Sequence, residues 1–260
     1  MKTLALISIL AFGGNQEASF GRFAVSHDGN HHDKDDIGAS AMVQALTWKA
    51  GVQGSLVHFD HSSHLGENTP SQHEDMIVSS TRWLWWFGID QGVVFDDYLD
   101  LRNSVLSLAA QIEASSEQDP LTILQAGPWE VMALAFDAAD PSTHQYVKIV
   151  SHSHWNNTHK SEDHHRNKED FDDQYEEGGK WEGVTPPDYE KISDQNQYAF
   201  NSSINEWTWL AKHPNTAFVL DRTLESSSAA GDMSDAGMLF WLLTGIEKPT
   251  MQEVRNFFEL

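Results

Sequence analysis

The chain has 260 residues, 40% hydrophobic and 21% charged, a globular balance that excludes a disordered or collagen-like chain. Acidic residues number 39 against 16 basic ones, a formal charge of −23, so nucleic-acid phosphate and anionic membrane surfaces are repelled. There is no cysteine, which excludes disulfides, thiolate metal sites and a cysteine nucleophile, and no apolar run approaches the ~18 residues a membrane-spanning helix needs.

The first twenty residues open with Lys2, run through an apolar stretch over 4–12 and reach small residues at Ala11 and Gly13. This pattern reads as a signal peptide and predicts a secreted or periplasmic protein; a first buried strand, and with it a cytoplasmic one, is the alternative. A short apolar strand follows over 22–27 and runs into the polar segment 28–36. Met42, Ala45, Leu46 and Lys49 recur at helical spacing and predict a helix over 37–50, ended by Gly51 and Gly54. Residues 56–59 form a second strand, completing a βαβ unit. Helices are predicted over 73–87 and 98–115, strands over 121–124 and 146–150, and a helix from Gly127-Pro128 to about 137. The acid-rich stretch at about 156–190 reads as a polar loop or lid. A late strand over 217–220, a helix over 235–244 and a capping box at Thr250–Glu253 complete the reading. The expected fold is a single α/β domain from residue 21, with a mostly parallel open sheet and helices on both faces.

The strongest chemical signal is Asp28, Asp33, Asp35 and Asp36, packed between a strand and a helix. Carboxylates that close repel one another unless a cation compensates, and hard oxygen donors select Ca2+ or Mg2+. Ligands in such a sheet bind at the carboxyl ends of the strands, where this cluster falls.

The order strand, Asp, then Asp-Asp opening a helix resembles the nucleoside hydrolase superfamily, the inosine-uridine preferring type, whose opening pattern is D-x-D-P-G-x-D-D-A. Here Asp28 stands further from the Asp35-Asp36 pair, and the D-P-G turn is absent. The stretch Leu121 to Glu130, with Gly127-Pro128, is similar to the family strand that ends in G-P-L-T-N, and Ser234-Asp235-Ala236 to its H-D-A. The resemblance implies Ca2+ (less readily Mg2+ or Zn2+) held by Asp28, Asp33, Asp36, the Ala126 carbonyl and Asp235. It implies Asp28 as base toward a metal-bound water, with Asp33 competing for that role, and Asp35 on sugar hydroxyls. Ser234 occupies the position of the family's general-acid histidine.

Histidines supply the second signal. His58, His61 and His64 are expected in one loop, and His152 and His154, at alternate positions at a strand end, on one side. One of His152 and His154 is the candidate general acid; as transition-metal ligands they give a rival, zinc-based reading. Asn156 and Asn157 are candidate sugar ligands. Trp83, Trp85, Trp86, Trp207 and Trp209 read as core, whereas Trp129 and Trp155 each follow a site loop and are candidates to stack on a sugar. The expected activity is calcium-dependent hydrolysis of a glycosidic or N-ribosyl bond. The alternatives are a metal-dependent polysaccharide hydrolase or lyase on the same fold, and a non-catalytic calcium-bound sugar-binding protein. The expected partner is a small molecule or oligosaccharide, with neither nucleic acid nor membrane; a homo-oligomer is compatible with it.

Overall fold

The computed structural model describes residues 21–29, 35–65, 70–225 and 230–259, without the side chains of 35, 36, 70, 72 and 230. The signal-peptide segment and Asp33 lie outside these residues. In chain order the elements are β1 (Arg22–His27), α1 (Asp35–Ala50), β2 (Leu56–His61), α2 (Pro70–Thr81), α3 (Leu84–Phe87), β3 (Val94–Asp96) and α4 (Asp97–Glu113). There follow β4 (Leu121–Ala126), α5 (Glu130–Ala138), β5 (Val147–Ser151), α6 (His154–Thr158), α7 (Lys168–Asp172) and β6 (Asp188–Lys191). The last are β7 (Asn201–Ser203), α8 (Pro214–Glu225), β8 (Ala230–Asp232), α9 (Ala236–Thr244) and α10 (Met251–Phe258).

Six strands form one sheet in the order β3-β2-β1-β4-β5-β6, every pair parallel, while β7 and β8 make a small antiparallel pair. Strands buried on both faces need apolar residues on both, and β1 supplies them alternately. Phe23 and Val25 join the core built with α1, α9 and α10; Ala24 joins the core built with α4 and α5. The sequence order reverses between β1 and β4, so the chain leaves their carboxyl ends toward opposite faces, α1 on one and α5 on the other, the place where such sheets form a ligand crevice. No helix among the described residues is long and apolar enough to cross a membrane.

Three expectations change. Residues 217–220 belong to α8, where Phe218 and Val219 are buried; a short apolar run is ambiguous between strand and helix, and packing against α1 decides it. The stretch 156–190 is less a lid than a wall: Phe171 and Trp181 are buried against Phe136, and β6 pairs with β5. Trp207 and Trp209 are core as expected, but Trp85 is 73% exposed and Trp86 also faces solvent.

Candidate functional site

The crevice is built by backbone before any side chain enters it. After β2 the chain continues along the end of β1: Ser63 N–H donates to the His27 carbonyl (2.9 Å) and His64 N–H to the Asp28 carbonyl (3.2 Å). Gly127 closes the other side. A Cβ there would lie 2.6 Å from Ser63 Oγ and 2.8 Å from Asp28 Cβ, so only glycine admits this approach. Asp28, Ser63 and Gly127 thus meet at the carboxyl ends of β1, β2 and β4, with Asp28 buried. Gly29 follows at φ +56°, in the left-handed region that glycine enters without strain. The backbone of Asp35 and Asp36 opens α1, as expected.

Asp235 lies immediately before α9, and its Oδ1 accepts a hydrogen bond from His152 Nε2–H (2.8 Å), just beyond β5. On the other side of the ring, Asp194 Oδ1 is 3.5 Å from Nδ1 and the Gln195 N–H 3.3 Å. A protonated ring turns to Asp194, a neutral one accepts from Gln195. Burial opposes charge on His152, yet Asp194 and Asp235 outweigh it and raise its pKa to about 9. His152 in turn leads the effects that hold Asp194 down at about 2. Ser234 is buried, its N–H on Asp232 Oδ1 (3.0 Å).

His27 is the residue that sequence reasoning missed. It ends β1, is fully buried, packs edge-on against Phe59, and has no hydrogen-bond partner among the described residues on either ring nitrogen. Burial, first, lowers its pKa, while the Asp235 and Asp60 carboxylates pull the other way. Its place between a strand and Asp28 was the available signal. Asp194 left none, because its role arises from a partner 42 residues earlier (194 − 152).

Several proposed ligands are placed otherwise. The strand ends at Ser151 and Ser153 caps α6, so alternation stops there; His154 is the first residue of α6 and exposed, whereas His152 is buried. With both His152 nitrogens engaged and His154 elsewhere, the two do not form a zinc site. Asn157 is spent internally, on Ser151 Oγ (2.9 Å) and the Tyr189 hydroxyl (2.6 Å), and Asn156 is buried with its amide toward the Gln125 carbonyl (3.4 Å). Trp129 is fully buried against Phe171 and Tyr189, so its ring offers no face to a sugar. Trp155 is 39% exposed and stacks on His159 (4.1 Å), which stacks on His64 (5.2 Å) beside Asp28. His58 and His61 lie within β2 rather than in a loop, both buried.

The expected donors are hard oxygens: the Asp28 carboxylate and the carbonyl of Ala126, which ends β4 beside Gly127, and the Asp235 carboxylate, held by His152. That chemistry fits a Ca2+-type ion. Among the described residues no three acidic or histidine side chains form a group that could hold a metal ion by themselves.

No protein-family model matches the chain. It is 27% identical over 266 residues to uncharacterized protein P22 of Formosa agariphila, covering 92% of this chain and 91% of that protein. A solved plant nucleoside hydrolase aligns with a TM-score of 0.52 at 11% identity, over 87% of this chain and 79% of that one. At that identity the likeness is one of architecture, and the chain has a nucleoside hydrolase-like α/β fold.

Proposed function

We propose that this chain is a hydrolase of glycosidic or N-ribosyl bonds that works with a divalent cation at the carboxyl edge of its sheet. The observation that carries the reading is Asp28, pinned by Ser63 and Gly127 at the crevice between β1 and β4 of a nucleoside hydrolase-like fold. Asp28, Asp235, the Ala126 carbonyl and residues 33 and 36 would hold the ion, which when bound lowers the pKa of a coordinated water. Asp28 would accept the proton of the attacking water as its oxygen bonds to the anomeric carbon and the bond to the leaving group breaks. His152 positions Asp235 through the Nε2–Oδ1 hydrogen bond, and that same bond turns its proton away from a substrate. Trp155 and His159 give the mouth of the site a flat aromatic rim.

Protonation of the leaving group is where this site departs from one with a histidine at position 234. The Ser234 hydroxyl is too weak an acid for the task, His154 is exposed at the start of α6, and His58 and His61 are buried in β2. Either His64 or His159 at the mouth supplies the proton, or the leaving group departs without one. The test is turnover of aryl glycosides and nucleosides with and without EDTA, in the wild type and Asp28→Asn. The expected result is chelator-sensitive cleavage of the activated aryl glycosides, lost in the variant. Binding of oligosaccharide with no turnover on any substrate would overturn the reading in favour of a sugar-binding protein.

A further inference from the structure

A second group of oxygens lies on the α4 side of the sheet, and the crevice does not use it. Asp60 on β2 and Asp97 at the start of α4 are 0% and 1% exposed. His58 Nε2–H donates to Asp60 Oδ2 (2.9 Å), and His58 is itself fixed by Ser107 Oγ at Nδ1 (3.1 Å) and by the Phe95 ring stacked on it (5.0 Å). Among the described residues no well-formed hydrogen bond reaches the other Asp60 oxygen, Oδ1, or either oxygen of Asp97, although Asp97 lies within side-chain hydrogen-bonding reach of both Asp60 and Ser104. The Ser26 hydroxyl, 1% exposed, has no partner among the described residues, and Ser104, 0% exposed, has only the Asp97 carboxyl nearby.

These atoms share one place. Ser26 is the cross-strand partner of Asp60 in the parallel β1–β2 pair, so their side chains leave the same face of the sheet. Ser104 and Asp60 both stand beside the Asp97 carboxyl, across the backbone kink at Asp100. Five buried oxygens therefore gather on one face of the sheet, where β1 and β2 meet the first turns of α4, and two of the side chains are carboxyls. A buried polar atom without a partner is costly, and natural structures satisfy such atoms with water or an ion.

Charge balance decides between those. Among the described residues neither carboxylate pairs with lysine or arginine; the one ion-pair contact is His58 on Asp60. Water leaves two like charges facing each other in a medium of low dielectric. One divalent cation neutralises both, and carboxylate and hydroxyl oxygens are the donors that Ca2+ and Mg2+ take.

We propose that Asp60, Asp97, Ser26 and Ser104 form a buried divalent-cation site, distinct from the crevice at Asp28, with His58 orienting Asp60 from behind. A histidine on the far oxygen of a ligating carboxylate is the usual way such a ligand is held in register. The same pair without an ion holds a proton instead. Burial, and then Asp60, push the Asp97 carboxyl well above the usual carboxylate range.

The experiment is calorimetric titration of the chelated full chain with Ca2+ and, separately, Mg2+, together with thermal melts in each ion. The proteins are the wild type, Asp97→Asn, Ser104→Ala and Asp28→Asn. The expected result is one equivalent of cation that Asp28→Asn keeps, that Asp97→Asn loses, and that Ser104→Ala binds about tenfold more weakly. Asp28→Asn separates the two sites, so failure here is distinguishable from failure of the proposed hydrolase. Ser104→Ala keeps the test decisive should Asp97→Asn fold poorly. The proposal is overturned if Asp97→Asn and Ser104→Ala bind as many cations as the wild type with unchanged affinity. It is equally overturned if the wild type binds none and Asp97→Asn melts higher, the mark of a pair that shares a proton.

Discussion

Replacing Gly127 by alanine tests the crevice at its tightest point. The added methyl would lie 2.6 Å from Ser63 Oγ, 2.8 Å from Asp28 Cβ and 3.0 Å from the Asp28 backbone nitrogen. Ordinary contact begins at 3.4 Å, so Asp28 Cβ must retreat by 3.4 − 2.8 = 0.6 Å. A backbone atom is among the obstacles, so turning a side chain does not relieve the clash; the end of β1 must move away from β4. Overpacking of this kind costs about 1–3 kcal/mol. Near the middle of that range, a chain of this size should melt roughly 4–8 °C lower. A displacement of about 1 Å can cost about a hundredfold in rate, so moving Asp28 by somewhat over half that distance should lower kcat/KM on the order of tenfold. The assay pairs thermal melts with turnover of an aryl glycoside. The reasoning is falsified if Gly127→Ala melts within about 1 °C of wild type and keeps its kcat/KM, since Asp28 would then not stand against that loop.

Two further outcomes follow from the packing. His144 is buried between Phe136, Tyr175 and Trp181, accepts a hydrogen bond from the Tyr175 hydroxyl (2.8 Å), and is held down by burial at about 4. Its native pKa lies below the unfolded value of 6.5, so the unfolded chain binds the proton first. Its contribution is complete above pH 6.5 and is lost as the pH falls toward 4, by roughly 3 kcal/mol at ~1.36 kcal/mol per unit. Urea unfolding at several pH values should show this slope in the wild type and its loss in His144→Phe; equal slopes would place the imidazole in water. Trp129→Ala should cost about 3–5 kcal/mol as a large buried ring is removed, whereas Trp155→Ala should change stability by less than about 1 kcal/mol while weakening sugar binding. Denaturant midpoints and fluorescence titration separate the two, and a glycan-binding loss confined to Trp129→Ala would reverse the assignment.

What the sequence disclosed, it disclosed through local physics. The apolar run that made β1 a strand, the helical spacing of Met42, Ala45 and Leu46, and the Thr250–Glu253 capping box all involve near neighbours, and each stands where it was read. Position along a strand also told where a site would fall, because carboxyl ends in a parallel sheet share one edge. Local reasoning failed where a distant partner decides. Phe218 and Val219 are compatible with either secondary structure until α1 packs against them. The reach of His154 depended on extended chain continuing past Ser151, where β5 ends and Ser153 caps α6 instead. Trp129 and Trp155 sit in similar contexts, yet one is roofed by Phe171 and the other is not. The His152–Asp235 and Asp60–Asp97 pairings join segments with no shared pattern, so nothing in the text of the chain announces them.

An open sheet has two borders, each with a row of backbone donors and acceptors that another chain could pair with. At one border β3 has only three residues, Val94 to Asp96, between a 3-10 turn and the start of α4. At the other, β6 reads Asp-Tyr-Glu-Lys, and Glu190 is tied to Lys148 by an ion pair (2.5 Å). One rim is too short to template a neighbour and the other too charged to receive one. A mutation that lengthened β3, or that replaced Asp188 and Lys191 by valine, would turn a self-limiting sheet into a seed for β-pairing between molecules.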